Sequence, residues 1–270
     1  MASFEDYPYT LYVTLLEGAT EIKDKILADY PNAKILFVEN RGYDIWPFIH
    51  VLNNVNLDDY SYVAKMHTKR DVPIILGALK GPTSRWRNCL LKIFRTKASI
   101  AQCIKVFEQE SRVGMLTSVQ CIMRKELFDK TAPAEMKKFF ASRGLPLRKY
   151  AFVAGTMFMS RASLLQAIKD FKFKQDDFPL SSTNRAHSLA HSIERLLGYV
   201  TYTQNYIIRD PAQTSKQQKF TECFYSLCDI SRVIRDCSTE ILRFFYQNKK
   251  TEKKHIIKII KIPIFHKKWK

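Results

Sequence analysis

Glycine and proline are scarce, 8 and 10 in 270 residues, which excludes collagen-like and linker-dominated chains. No CxxC pair occurs; Cys89, Cys103, Cys121, Cys223, Cys228 and Cys237 are scattered singly, most of them in stretches that read as helix or buried strand. Neither their spacing nor the chain length suits a stapled scaffold, so reduced, core-filling cysteines are expected. No window reaches the ~18–20 consecutive apolar residues that a membrane span requires. The opening residues, Met1 to Asp6 (MASFED), are acidic and lack the apolar core of a signal peptide. The expectation is a cytoplasmic protein, soluble or peripheral on the inner face of the cell membrane. Acidic residues are also short: 26 against 44 basic ones, for a formal charge of +18.

Hydrophobic residues make up 46% of the chain and aromatics 13%, enough for one large core or two small ones. The positive charge attracts polyanions: nucleic acid, anionic lipid headgroups or phosphorylated substrates. Its distribution is uneven. Residues 249–270 hold nine lysines against a single acid, Glu252. Within them His255 to Lys270 (HIIKIIKIPIFHKKWK) reads as a basic amphipathic helix of the kind that lies on a membrane surface, the bland alternative being a solubilising tail. No nucleic-acid-binding motif accompanies the charge, so nucleic acid is not an expected partner.

Tyr9 to Leu16 (YTLYVTLL) reads as a buried strand, Glu17 to Asp29 as a helix, and Ala33 to Val38 (AKILFV) as a second strand. Pro47 can open a helix through Leu52, and Tyr60 to Met66 is a third strand. This order predicts an α/β fold with a mostly parallel sheet flanked by helices, whose ligand site gathers at the carboxyl ends of the strands. Residues 72–85 read as a mobile loop. Helices are expected over Ser84–Phe94, Ser99–Glu110, Pro133–Ser142, Arg161–Phe171 and Ala186–Gly198, with Gly198 as the last helix's stop. Strands are expected over Val113–Thr117, Phe152–Met159 and Tyr199–Tyr206. The organisation is a domain over 1–210 and a helical, basic extension over 211–270.

Polar residues cluster at the ends of these elements. Asn40, Arg41, Gly42 and Asp44 follow the second strand; an Asx-type turn and hydrogen bonds to a nucleoside both suit them. Lys65, His67, Thr68 and Lys69 end the third strand, where cationic and hydroxyl donors can meet a diphosphate directly; a solvated basic loop is the alternative. Arg87 could reach the same phosphates, and Trp86 either stacks on a sugar or belongs to the core. Gly155-Thr156 interrupt an apolar strand, as a packing glycine or as a site of close approach. His191 and Glu194, three apart, share one helix face.

The segments VENRGYDIWPF (38–48), YVAKMHTKRD (62–71), WRNCLL (86–91), FVAGTMFMSR (152–161) and AHSIERLLGY (190–199) together resemble the rhamnan synthesis protein F family, in order and spacing, over about residues 10–206. One departure is Trp46, where the family often has glycine. The resemblance implies a GT-A-like, Rossmann-related fold and a glycosyltransferase of bacterial surface polysaccharide: rhamnan, O-antigen or capsule. It implies a nucleotide-sugar donor (rhamnose and galactofuranose both stay open), a lipid-linked glycan acceptor and other polysaccharide-assembly enzymes as partners. By the same analogy Glu194 would be the base of an inverting displacement, His191 would orient it, and Gly155-Thr156 would admit a sugar to the backbone. No DxD pair ends the third strand, since Asp58-Asp59 precede it, so a metal-independent donor site with no cofactor is expected. Two alternatives stand beside this reading: a catalytically silent scaffold subunit and, from charge alone, a nucleic-acid-binding protein.

Overall fold

The computed structural model describes residues 2–68, 74–76, 79–81, 83–124, 134–145, 150–180, 189–214, 216–220, 223, 246–251, 254–259 and 262–268. The chain divides into two compact units, Met1–Lys219 and Phe220–Lys270.

The first unit is mixed α/β. Strands β1 (Tyr12–Leu16) and β2 (Lys34–Val38) pair in parallel, from Tyr12 opposite Lys34 to Leu16 opposite Val38, across helix α1 (Thr20–Asp29). Helix α2 (Ile45–Asn54) follows, starting two residues before Pro47, and buries Ile45, Trp46, Phe48, Ile49 and Leu52. This opening β-α-β-α order is the one its apolar runs predict.

Strand β3 (Tyr62–Lys65) departs from expectation. It runs antiparallel to β9 (Phe158–Arg161), which is antiparallel to β6 (Val113–Leu116), which in turn is parallel to β10 (Ile207–Arg209). The main sheet therefore has the order β10-β6-β9-β3, with β9 opposing its three companions; among the described residues the parallel pairing expected from the strand pattern is met in β1–β2 and β6–β10 and departed from at β9. A continuous apolar run suggests a strand covered on both faces, which is typical of parallel sheets but is shared by an antiparallel strand in a covered sheet; the runs of β1 and β2 are in fact only half-buried. The register nevertheless gathers the polar tips. Lys65, the last residue of β3, faces Phe158, the first of β9, and Leu116, ending β6, faces Met159.

Four other expectations are corrected. Residues 72–85 are not simply loop: β4 (Ile74–Leu76) and β5 (Leu79–Gly81) form an antiparallel pair ahead of helix α3 (Thr83–Leu90). After helix α4 (Lys97–Gln109), strand β7 (Ile122–Arg124) and helix α5 (Ala134–Ala141), the run FVAGTMFM is not one strand. It splits into β8 (Ala151–Val153), paired with β7, and β9, with left-handed Gly155 (φ +80°) and Thr156 (φ +48°) turning the chain between them. Helix α6 (Ala162–Lys169) then leads to α7 (Leu189–Thr203), which runs through Gly198 and across most of the expected strand 199–206. A Cβ at residue 198 would collide with the Ala151 carbonyl oxygen and lie 2.6 Å from Phe152 Cα, so this glycine serves close packing on β8 rather than a stop. Burial of Tyr199 and Val200 overrides the strand preference of YVTYT.

The core runs from Phe48 and Leu52 through Phe107, Met115, Phe158 and Leu165 to Leu196; Phe48 meets Phe158 edge-on at 5.8 Å. Cys103 and Cys121 are buried and unbridged, and burial pushes the Cys103 thiol up to about 12, which suits packing rather than chemistry.

In the second unit the expected amphipathic helix is replaced by a meander of β11 (Tyr246–Thr251), β12 (Lys254–Ile259) and β13 (Ile262–Lys268). The apolar positions of β12 and β13 are mostly isoleucine, whose branched Cβ favours strands. Cys228 and Cys237 lie outside the described residues. Among the described residues no helix is long and apolar enough to cross a membrane.

Candidate functional site

The edge where β3 ends and β9 begins carries a connected polar network. Asp44 stands at the N-terminus of α2, Lys65 at the tip of β3, and Thr156 in the turn before β9. Lys65 Nζ donates to Asp44 Oδ2 at 2.7 Å, to the Thr156 carbonyl at 3.0 Å and to Thr156 Oγ1 at 2.9 Å. A lysine ammonium has three N–H donors, so all three are spent here. The Thr156 hydroxyl in turn donates to Asp44 Oδ2.

Burial works against ionisation of Asp44, but Lys65, His67 and the two hydrogen bonds outweigh it and hold its carboxyl well below the usual carboxylate range. Asp44 is thus an anion at any physiological pH. Its Oδ2 takes all of these contacts; Oδ1 has no hydrogen-bond partner among the described residues, and 26% of the side chain is open to solvent.

Thr156 is strained. A β-branched residue in the left-handed region costs about 1–3 kcal/mol and persists only where its surroundings enforce it; here Lys65 grips both its carbonyl and its hydroxyl. Its neighbour Gly155 suits the position for two reasons. Its φ is +80°, and a Cβ would sit 3.0 Å from Leu90 Cδ2 and 3.1 Å from Trp86 Cζ2.

His67 lies beside this turn, with Nε2 2.9 Å from the Gly155 carbonyl and 3.6 Å from Asp44 Oδ2. Its Nδ1 is 2.8 Å from the Thr68 carbonyl. Burial, seconded by Lys65, pushes the imidazole down against the pull of Asp44 and both carbonyls. From the other side Glu194 Oε1, on α7, accepts the Gly155 N–H at 2.8 Å. Arg195 NH1 lies 3.9 Å from Glu194 Oε2 and donates to the His191 carbonyl at 3.0 Å.

Asp44, Lys65, His67, Gly155, Thr156 and Glu194 thus form one connected cluster, although they span four segments of sequence. The other expected site residues are placed as follows. Arg41 Nε holds Glu39 at 2.6 Å and its NH1 donates to the Phe178 carbonyl at 3.1 Å, which makes it a brace to the 175–180 segment. Gly42 (φ +56°) lies against Phe178, whose Cδ1 would stand 2.5 Å from an added Cβ. Asn40 and Thr68 are exposed. Trp86 is buried behind Gly155, the core alternative of its two readings, and Arg87 is half-buried on α3. His191 sits on α7 with its ring edge-on to Tyr43 at 5.7 Å. Lys69 lies outside the described residues. Trp46 is core, 5.4 Å from the Phe178 ring.

Two residues at this edge fall in clusters that the sequence marks out but carry no role assigned from it. Tyr43 is left-handed at φ +55° and 39% exposed; an aromatic between glycine and a helix start was the available signal. Arg195 places its guanidinium 5.0 Å from the Phe152 ring centre, and nothing local distinguished it from an ordinary helix cation.

The family model for rhamnan synthesis protein F matches residues 1–206. Two curated relatives are similar at lower identity: the uncharacterized protein WxcX of Xanthomonas campestris pv. campestris strain B100, 24% identical over 184 residues, 67% of this chain and 26% of that protein, and its counterpart in strain ATCC 33913, 23% identical over the same span. The chain spans about a quarter of the length of these curated relatives. No solved structure matches. With its matched segment covering the whole β1–α7 body and every residue of the Asp44–Lys65–Thr156–Glu194 cluster, the chain belongs to the rhamnan synthesis protein F family, a family associated with surface-polysaccharide synthesis.

Proposed function

We propose that this protein is a glycosyltransferase of GT-A-like architecture, moving a sugar from a nucleoside diphosphate donor to a lipid-linked glycan in surface-polysaccharide assembly at the cytoplasmic face of the membrane. The observation that carries the reading is the convergence, on one sheet edge, of an ionised carboxylate, a histidine, a strained left-handed turn and a second carboxylate, in a chain of this family.

In this reading the ionised Asp44 presents Oδ1 to a donor hydroxyl, and the exposed Asn40 offers the nucleoside a further hydrogen bond. Lys65 acts as a positioning residue, since its donors hold Asp44 and Thr156 in place. Glu194 is the base: the Gly155 N–H aims its carboxylate at the turn where the acceptor would lie. It takes the proton of the acceptor hydroxyl, the oxygen forms a bond to the anomeric carbon, and the bond to the diphosphate breaks with inversion. His67, Thr68, Lys69 and Arg87 offset the leaving diphosphate's charge. His191 orients the helix face beside the base.

A second reading, a silent scaffold subunit, draws on a specific observation: Lys65's donors and Glu194 Oε1 are already engaged within the protein. One experiment separates the two. Calorimetry and transfer assays with dTDP-rhamnose and UDP-galactofuranose, on a lipid-linked acceptor, are expected to show donor binding and turnover, and Glu194→Gln to keep the first and lose the second. Donor binding without turnover in the unaltered protein would establish the scaffold; no binding of any sugar nucleotide overturns both readings.

A further inference from the structure

His67 has more acceptors than a neutral ring can serve. Nδ1 lies 2.8 Å from the Thr68 carbonyl oxygen and Nε2 2.9 Å from the Gly155 carbonyl oxygen, with Asp44 Oδ2 a further acceptor at 3.6 Å. A neutral imidazole carries one N–H and one lone pair, whereas the imidazolium carries two N–H groups. In either neutral tautomer a lone pair would face a carbonyl oxygen at hydrogen-bond distance. Only the doubly protonated ring makes both contacts attractive.

The charged groups around it oppose one another. Asp44, from the N-terminus of α2, favours the cation, and Lys65, two residues back on β3, disfavours it. Glu194, from α7, is engaged by the N–H of the same Gly155 whose carbonyl His67 meets. Burial weighs against charge and tips the empty site toward the neutral ring. An added anion would reverse that balance, because a negative charge in a partly desolvated site favours the nearby cation.

We infer that anion binding at this edge loads His67 with a proton from solvent, and that the charged ring then clasps the Gly155 turn to the chain leaving β3. Both contacts already stand at 2.8 and 2.9 Å; protonation makes both attractive and locks residues 67–68 to the Gly155 turn, each side held by one ring N–H. His67 is thereby a positioning residue whose protonation is linked to occupancy. The link between anion and proton rests on the donor-site reading above; the two-acceptor clasp does not.

The test uses the full chain with selectively labelled histidine and inorganic pyrophosphate as the probe. In the free protein at pH 7.5, ring nitrogen shifts of His67 are expected to report a neutral tautomer. On acidification both nitrogens should become protonated together with shifts at the Gly155 and Thr68 carbonyls. Saturating pyrophosphate should produce the same change at higher pH. By linkage, pyrophosphate affinity should tighten as pH falls from 8 to 6 with an excess slope over the His67→Gln variant approaching about tenfold per pH unit; the probe's own titration is common to both. A His67 that protonates without moving either carbonyl signal overturns the clasp. Equal slopes in the two proteins overturn the coupling. Failure of pyrophosphate to bind overturns the donor site, and the free-protein titration then still decides the clasp. A thermal melt at pH 8 checks that His67→Gln is folded.

Discussion

Asp44, Lys65 and Thr156 solve one another's problems, and each is unfavourable alone. A carboxylate and an ammonium withdrawn from water each lose several kcal/mol of hydration, which their contact and hydrogen bonds must offset. Removing one partner leaves the other charge stranded, so Lys65→Met is expected to cost roughly 3–5 kcal/mol in urea unfolding, and Lys65→Met with Asp44→Asn less than the sum of the two. Thr156 gives a sharper test. At φ +48° a Cβ is strained, so Thr156→Gly should be more stable than Thr156→Ala by about 1 kcal/mol, although both lose the hydroxyl bonds. The reverse order in denaturant melts would mean the left-handed turn is not formed. The pH response has a definite sign. His67 is depressed, so below its unfolded value, about 6.5, the unfolded chain binds the proton first and stability falls. Asp44 is also depressed, and stability falls again below about pH 4, where the unfolded carboxylate protonates. Melting temperature should therefore drop in two stages on acidification, and Asp44→Asn should remove the lower stage. Much of this was legible as composition (NRGYD, KMHTK and AGT are polar residues at the ends of apolar runs), but the Lys65–Thr156 contact spans 91 residues and has no local signature.

Elements behaved differently from residues. Where an apolar run was bounded by polar turns, as in β1, α1, β2 and α2, sequence pattern located the element to within a few residues. Where two rules competed, tertiary packing decided. YVTYT has strand propensity and Gly198 looks like a helix stop, yet α7 continues because its residues 199 and 200 bury against α5 and β8; Tyr199 meets Phe140 edge-on at 4.9 Å. The glycine is needed for contact with the β8 backbone. Gly198→Ala is expected to destabilise by ~3 kcal/mol or more, since backbone, not a flexible side chain, blocks the methyl. Thermal unfolding of Gly198→Ala close to the unaltered protein would show that α7 does not pack on β8 as described. The same competition split FVAGTMFM: eight apolar or small residues suggest one strand, but the paired left-handed residues reverse the chain and make the corner on which Glu194, His67 and Lys65 converge.

At the scale of the whole molecule, positive charge is densest at the end of the second unit, where nine lysines fall in residues 249–270. That density is expected to hold the protein on anionic bilayers, at about 1 kcal/mol per lysine near the surface. Deleting 249–270 should release it from phosphatidylserine vesicles in flotation while the melt of the first unit is unchanged; a truncated protein that still floats would assign the anchor elsewhere. Sequence alone determined the α/β class, the number and rough limits of the early elements and the family, because periodicity, composition and ordered motifs are local properties of the chain. Only the tertiary structure decided that β3 joins an antiparallel neighbour, that the tail forms strands, and that Lys65 is an internal tie in whose network Asp44 Oδ1 takes no part. Strand direction and hydrogen-bond partners depend on which distant segment arrives alongside, and no window of sequence contains both sides of such a contact.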